Sequence, residues 1–247
     1  MAWVPRWLGE AYSRLRVSFH ATPFSMEEAR ELLGRDPPSL RVALSELNKA
    51  GYLDRVHPGH YVARPPETVI HALAGKVRNM DRIPRAHHRA VVAEFLGGLL
   101  ARSPVALESV ILYGSAARGD TDSVSDVDLL VIEKELPENF MERFRGMARI
   151  VDLTNPLRLW LWTKKGLYPA VQVFPSTPEE AGAPRPLYLD MIHDSLLLYD
   201  PHDFFRRVIG KMAERLEQLG SKRVHLPDGR WYWVLKEKVE RGEVIEI

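Results

Sequence analysis

Apolar positions in the first third of the chain recur at helical spacing and then alternate. Residues 7–19 and 25–33 read as two helices, the second with Ser25 as N-cap, Glu28 completing a capping box and Gly34 as its stop. Asp36-Pro37-Pro38 reads as a turn. Leu40, Ala43, Leu44 and Leu47 recur at i, i+3, i+4 and i+7, so a third helix buries that face and presents Arg41, Ser45, Asn48 and Lys49 on the other. Gly51 ends it. Residues 52–56 and 60–62 flank Pro58-Gly59 as a short hairpin carrying Arg55, His57 and His60, with Arg64 beyond it.

Pro65-Pro66 closes this region, and residues 67–80 read as a linker helix ending before Ile83-Pro84. A helix over residues 86–101 gathers Val91, Val92, Phe95, Leu96, Leu99 and Leu100 on one face, which is expected to pack under a sheet. The pattern then changes to short apolar runs at 110–113, 127–132, 168–174 and 196–199, separated by helical stretches: strands alternating with helices. Residues 138–154 are the first such stretch, Asn155-Pro156 breaks it, and Trp160 and Trp162 beyond the break suit core or interface. Thr177-Pro178 opens another helix and residues 187–194 a further one. An amphipathic helix over 203–219 is stopped by Gly220. Residues 223–226 and 231–235 around Pro227-Asp228-Gly229 read as a hairpin, with Trp231 and Trp233 on one face as an aromatic cluster over the sheet or a stacking surface for a nucleobase.

The chemistry concentrates between the first two strands. Asp126 and Asp128, two apart at the start of a strand, point to one side while Val127 points to the other. Two neighbouring carboxylates repel each other, and hard oxygen ligands suit Mg²⁺, which binds through one or two carboxylates plus substrate phosphates. Gly114 lets backbone approach closely, Ser115 and the following amides are placed to open a helix, and Arg118 follows about one turn later, able to face the same anion.

Gly114-Ser115, ten residues, then Asp126-Val127-Asp128, set in Ala-Ala-Arg-Gly and Ser-Asp-Val-Asp-Leu, resembles the signature of the nucleotidyltransferase superfamily that includes DNA polymerase β, most closely its minimal nucleotidyltransferase branch. The resemblance implies Asp126 and Asp128 as catalytic metal ligands, Mg²⁺ as cofactor, and Gly114, Ser115, Arg118 and Ser125 as nucleotide-binding residues. It also implies a small mixed sheet with helices on one side. Active members of that superfamily supply a third carboxylate from the next core strand, but here that strand is Tyr-Pro-Ala-Val-Gln-Val-Phe. Gln172 is the polar candidate at that position, and Asp152 or Asp190 replaces it only if the chain folds back. An amide oxygen can ligate a metal but carries no charge and is no base near neutral pH.

Composition narrows the field. The chain of 247 residues is 45% hydrophobic and 27% charged, ordinary for a globular protein of two modest domains. With no cysteine, thiolate catalysis and cysteine-ligated zinc are excluded, leaving carboxylates as metal ligands. No membrane-spanning run or signal pattern is read, so a cytoplasmic location is expected. The overall charge of +1 divides into a net +5 over residues 1–90 and −4 over the remainder, and six of nine histidines lie in the first part. His87-His88 invites a metal reading, but adjacent helical residues do not face one another.

Three helices followed by a basic hairpin resemble a winged helix-turn-helix domain, which implies nucleic acid at Arg41, Ser45, Lys49, Arg55 and His57, or else protein docking. The expected fold is α+β: a winged helix over 1–66, linker helices over 67–103, a nucleotidyltransferase core over 104–200, and a helix with hairpin over 201–247. This arrangement resembles archaeal nucleotidyltransferase-domain proteins. The expected function is Mg²⁺-dependent transfer of a nucleoside monophosphate from an NTP, with ATP as the expected donor. Two alternatives stand beside it: a DNA-binding regulator with a degenerate nucleotide-sensing or protein-binding fold, and an antitoxin-like protein adenylyltransferase with a protein acceptor. Oligomerisation is left open.

Overall fold

The computed structural model describes residues 3–102, 105–120 and 126–239. The first helices are α1 (Arg6–Phe19), α2 (Met26–Leu33) and α3 (Pro37–Lys49), and the first strands β1 (Phe24–Ser25), β2 (Leu53–His57) and β3 (His60–Ala63), which form an antiparallel sheet in the order β1-β3-β2. Ser25 caps α2 in a reciprocal capping box with Glu28. Residues 36–38 are not a free turn: Asp36 is the N-cap of α3, and Pro37 and Pro38 occupy its first turn, where proline's missing N–H costs nothing. Leu40, Ala43, Leu44 and Leu47 are buried against Leu8, Leu15, Phe24 and Leu53 in a core of their own.

Helix α4 (Pro66–Leu73) is shorter than the 67–80 linker helix expected, because the chain turns at Gly75, with φ +71°, and re-enters a short 3₁₀ turn at Met80–Arg82. Helix α5 (Ala86–Arg102) is central and buried nearly all round, rather than along one stripe. Its Gly97 and Gly98 make this possible: a Cβ on Gly97 would lie 2.5 Å from Pro65 Cβ, and one on Gly98 2.6 Å from Leu153 Cδ1. Neighbouring segments therefore pack directly onto its backbone.

A four-stranded mixed sheet follows in the order β6-β5-β4-β7, from β4 (Leu107–Tyr113), β5 (Val127–Glu133), β6 (Val171–Ser176) and β7 (Leu196–Tyr199), with only β5 and β6 parallel. Between them lie α6 (Gly114–Arg118), α7 (Phe140–Asp152), α8 (Asn155–Lys165), α9 (Pro178–Gly182) and α10 (Pro186–Asp194). Asn155-Pro156 starts α8 rather than ending helical structure, with Pro156 in its first turn. The third strand begins at Val171, not at residue 168; Ala170 contributes only a carbonyl to Val127 N, at 2.7 Å.

Helices cover both faces of this sheet, against the expectation of one. Val110, Leu112, Leu129 and Val131 pack on α5, α7 and α8, while Ile111, Leu130 and Ile132 pack with Ala181 of α9, Tyr188 of α10, and Phe205 and Met212 of α11 (Phe204–Leu219). The unbroken apolar runs 110–112 and 129–132 in the two central strands require this, since both faces must leave water there. Among the described residues the hairpin β8 (Lys222–His225) and β9 (Trp231–Val234) pairs only with itself, and it lies on α10, so its tryptophans cover a helix, not the main sheet.

The two cores join through α5 and buried ion pairs. Asp54 on β2 accepts from Arg64 at 2.6 and 2.8 Å and from Arg89 of α5 at 2.6 Å, and Arg16 of α1 donates to Glu94 of α5. His60 packs on Trp160 of α8, ring centroids 5.0 Å apart. Among the described residues no helix is long and apolar enough to cross a membrane.

Candidate functional site

The signature residues converge at one end of the β4–β5 pair. Tyr113, the last residue of β4, is directly paired with Asp128, so the residue after it, Gly114, lies beside that carboxylate. Gly114 has φ +72°, and a Cβ there would collide with the Asp128 carboxylate. Two constraints thus demand glycine: the left-handed turn from strand into α6, and the close approach of Asp128. Ser115 stands in the first turn of α6, immediately after it.

Val127 is fully buried in the core, which fixes Asp126 and Asp128 on the opposite, more open side. Burial first, and then the charge of Asp126, raise the Asp128 carboxyl above its ordinary range, with Arg118 partly offsetting them. Burial and Asp128 together push the Tyr113 phenol up to about 12, so it stays a neutral hydroxyl. The charge of Asp126 beside the Asp128 carboxylate is one a divalent cation would offset, and the two side chains could serve as oxygen ligands to Mg²⁺.

Across the parallel pair, Gln172 is in register with Asp128 and its Nε2 donates to Asp126 Oδ2. Among the described residues no group of three or more His, Cys, Asp or Glu side chains is placed to hold a metal ion. Asp152 sits at the end of α7, in a groove that also reaches Gln172, and Asp190 accepts hydrogen bonds from two tryptophans; neither joins the aspartate pair in such a group. The His87 and His88 rings meet edge to face, centroids 4.4 Å apart, against the expectation that adjacent helical residues do not face one another.

Arg118, at the end of α6, ion-pairs with Asp120 at 2.9 Å, and its guanidinium lies 4.9 Å from the centroid of the Trp231 ring. Arg223 stacks on the same ring at 4.0 Å. This link from the C-terminal hairpin to the motif was missed in the sequence. The only hint is that Trp231 and Trp233, on one strand face, each bring an indole N–H that needs an acceptor once buried, and Asp190 supplies it. Ser125 lies outside the described residues. Arg41, Ser45, Lys49 and Arg55 are exposed and His57 half-buried, on α3 and β2 of the N-terminal unit and not on the elements that carry the motif; Lys49 ion-pairs with Glu46 at 3.0 Å.

Residues 92–181 match the nucleotidyltransferase domain family. Two curated relatives come from Methanocaldococcus jannaschii, each named as a candidate protein adenylyltransferase. One is 43% identical over 61 residues, 25% of this chain and 42% of its own length; the other is 61% identical over 31 residues, 13% and 31% respectively. The chain thus spans less than half the length of either. Among solved structures, a candidate nucleotidyltransferase from Sulfolobus solfataricus is 22% identical over 44% of this chain and 78% of its own, TM-score 0.29. A toxin-antitoxin structure with AMP-PNP is 15% identical over 51% and 90%, TM-score 0.31. The family match over residues 92–181 includes Gly114, Ser115, Asp126, Asp128 and Gln172, so the stretch similar to nucleotidyltransferase domains is the one that carries the aspartate pair.

Proposed function

We propose that the protein transfers a nucleoside monophosphate from an NTP, with Mg²⁺ at Asp126 and Asp128, to a hydroxyl on a protein acceptor. The observation that carries the reading is the Gly114–Asp128 approach: a glycine forced by both turn and contact holds backbone against the half-buried carboxylate that a metal–nucleotide complex would meet. Protein as acceptor is supported by the names of the two M. jannaschii relatives.

Mg²⁺, when bound, would neutralise charge on the triphosphate and on the departing pyrophosphate. The chain's own residues do the rest by positioning. Gly114 and Ser115 leave backbone accessible to phosphate oxygens, and Arg118 can exchange part of its contact with Asp120 and Trp231 for a phosphate. The acceptor oxygen attacks the α-phosphorus, the bond to the bridging oxygen breaks, and pyrophosphate leaves. Gln172 cannot take the acceptor's proton, so that proton passes to the nucleotide's own phosphate. Slow, substrate-assisted transfer is the expected character of such a site.

A second reading keeps the exposed face of α3 for DNA. The order α1-α2-α3 with the β1-β3-β2 sheet supports a winged helix, but the β2–β3 tip is engaged by Trp160, and Val56 belongs to the core of the nucleotidyltransferase unit. This favours a module that fixes an acceptor relative to the site over a free DNA-binding wing. The test is incubation with Mg²⁺ and ATP labelled at the α- or γ-phosphate, with and without cell extract. Label entering protein from the α-position alone, and lost in Asp128→Asn, is the expected result; label from the γ-position would make the protein a kinase-like enzyme and reject the reading.

A further inference from the structure

A cavity of about 190 Å³ adjoins the motif, bounded by Tyr113, Gly114 and Arg118 on one side and by Asp190 and Asp194 of α10 on the other. Pockets that enclose whole drug-sized ligands run about 300–1,000 Å³, so this one takes a part of a nucleotide. Its two walls differ in polarity. Arg118 suits phosphate, whereas the carboxylates of α10 would repel phosphate and accept hydrogen bonds from hydroxyls.

Those carboxylates are fixed by the C-terminal hairpin. Asp190 Oδ1 accepts from Trp231 Nε1 at 2.7 Å and from Trp233 Nε1 at 3.2 Å, and Asp194 Oδ2 accepts from Arg223 Nη2 at 2.6 Å. His193 between them stacks on Trp233, centroids 5.6 Å apart and planes within 12°. The other oxygen of each carboxylate accepts from no described side chain. Two oriented acceptors with one oxygen each to spare, beside an arginine that itself rests on Trp231, match a sugar attached to a phosphate.

We propose that this cavity holds the ribose of the donor nucleotide, its hydroxyls donating to Asp190 and Asp194 while its phosphates lie toward Gly114 and Arg118. The β8–β9 hairpin is then a positioning device that fixes the ribose wall and, through Trp231, the phosphate arginine together. The inference rests on the NTP reading of the Asp126/Asp128 site and adds to it a preference for ribonucleotides.

The test is calorimetric binding of ATP, 2′-deoxyATP and 3′-deoxyATP to the full chain with Mg²⁺. Loss of a hydrogen bond to a charged acceptor predicts about tenfold weaker binding or more for at least one deoxy nucleotide. In Asp190→Asn, whose amide oxygen still accepts from both indoles, ATP falls toward the deoxy value and the discrimination shrinks; Asp194→Asn is the second variant should the first unfold. Equal affinity for all three nucleotides in the wild-type protein, or discrimination untouched in both variants, overturns the ribose assignment alone. Absence of any NTP binding overturns the nucleotidyltransferase reading and this inference with it, so the two failures are told apart.

Discussion

Gln172 stands directly opposite Asp128 across the parallel β5–β6 pair. Its amide also donates to Asp126, so the strand that brings a third carboxylate in the superfamily this motif resembles brings a neutral hydrogen-bond donor here. Gln172→Glu, nearly the same shape, replaces that donor by a third negative charge. The metal-free protein is expected to lose up to about 1 kcal/mol, limited because Gln172 is exposed, and to regain it with millimolar Mg²⁺. Thermal unfolding with and without Mg²⁺ measures this; a variant indifferent to Mg²⁺ would reject the placement of Gln172 at the metal site.

Gly114→Ala introduces a Cβ at φ +72° that meets the Asp128 carboxylate. Strain of about 1–3 kcal/mol is expected, together with displacement of Asp128 and loss of Mg²⁺-dependent nucleotide binding. Denaturant unfolding gives the first quantity and calorimetry the second. Gly220→Ala, also at positive φ but with open space around its Cβ, should show the backbone strain without the binding loss.

Asp54 is fully buried between Arg64 and Arg89. Burial alone would raise its carboxyl, but the two guanidiniums and their hydrogen bonds outweigh it and hold the group below the ordinary carboxylate range of 3.8. A depressed folded-state value means that the stabilisation is present above the unfolded-state value and is lost as pH falls through the folded one. Stability should therefore drop below about pH 4. Asp54→Asn leaves two cations facing a neutral amide and is expected to cost about 3–5 kcal/mol at neutral pH, while flattening the acid limb of the stability curve.

The α3 reading predicts that any DNA affinity falls steeply with salt and is lost on replacing Arg41 and Lys49 with Ala. Gel shifts across a salt series check it. Binding that survives both substitutions would assign the contact to another surface and leave the N-terminal unit as an acceptor-holding or structural module.

Much of this was legible in the chain. The capping box at Ser25 and Glu28, the Thr177 cap, and the i, i+3, i+4, i+7 series from Leu40 each state a local rule that the packing obeys. Gly114 and the aspartate pair were readable because a turn glycine and a same-side carboxylate pair are local facts. What escaped depended on tertiary contact. Gly97 and Gly98 look like weak points in a helix until Pro65 and Leu153 are seen lying on them. Proline at 37 and 156 reads equally as a breaker or as a first helical turn, and only the following packing decides. The partner of Trp231 sits 41 residues away, on a helix that no periodicity in the hairpin reveals.

The most direct measurement of the central claim is Mg²⁺-dependent ATP affinity in the wild-type protein, Asp126→Asn and Asp128→Asn. The wild-type protein is expected to bind ATP more tightly with Mg²⁺ than without it. Each variant should lose that dependence while unfolding at least as high as the wild-type protein without metal, because removing one of two neighbouring carboxylate charges relieves their repulsion. Unchanged Mg²⁺-dependent affinity in both variants would contradict the account.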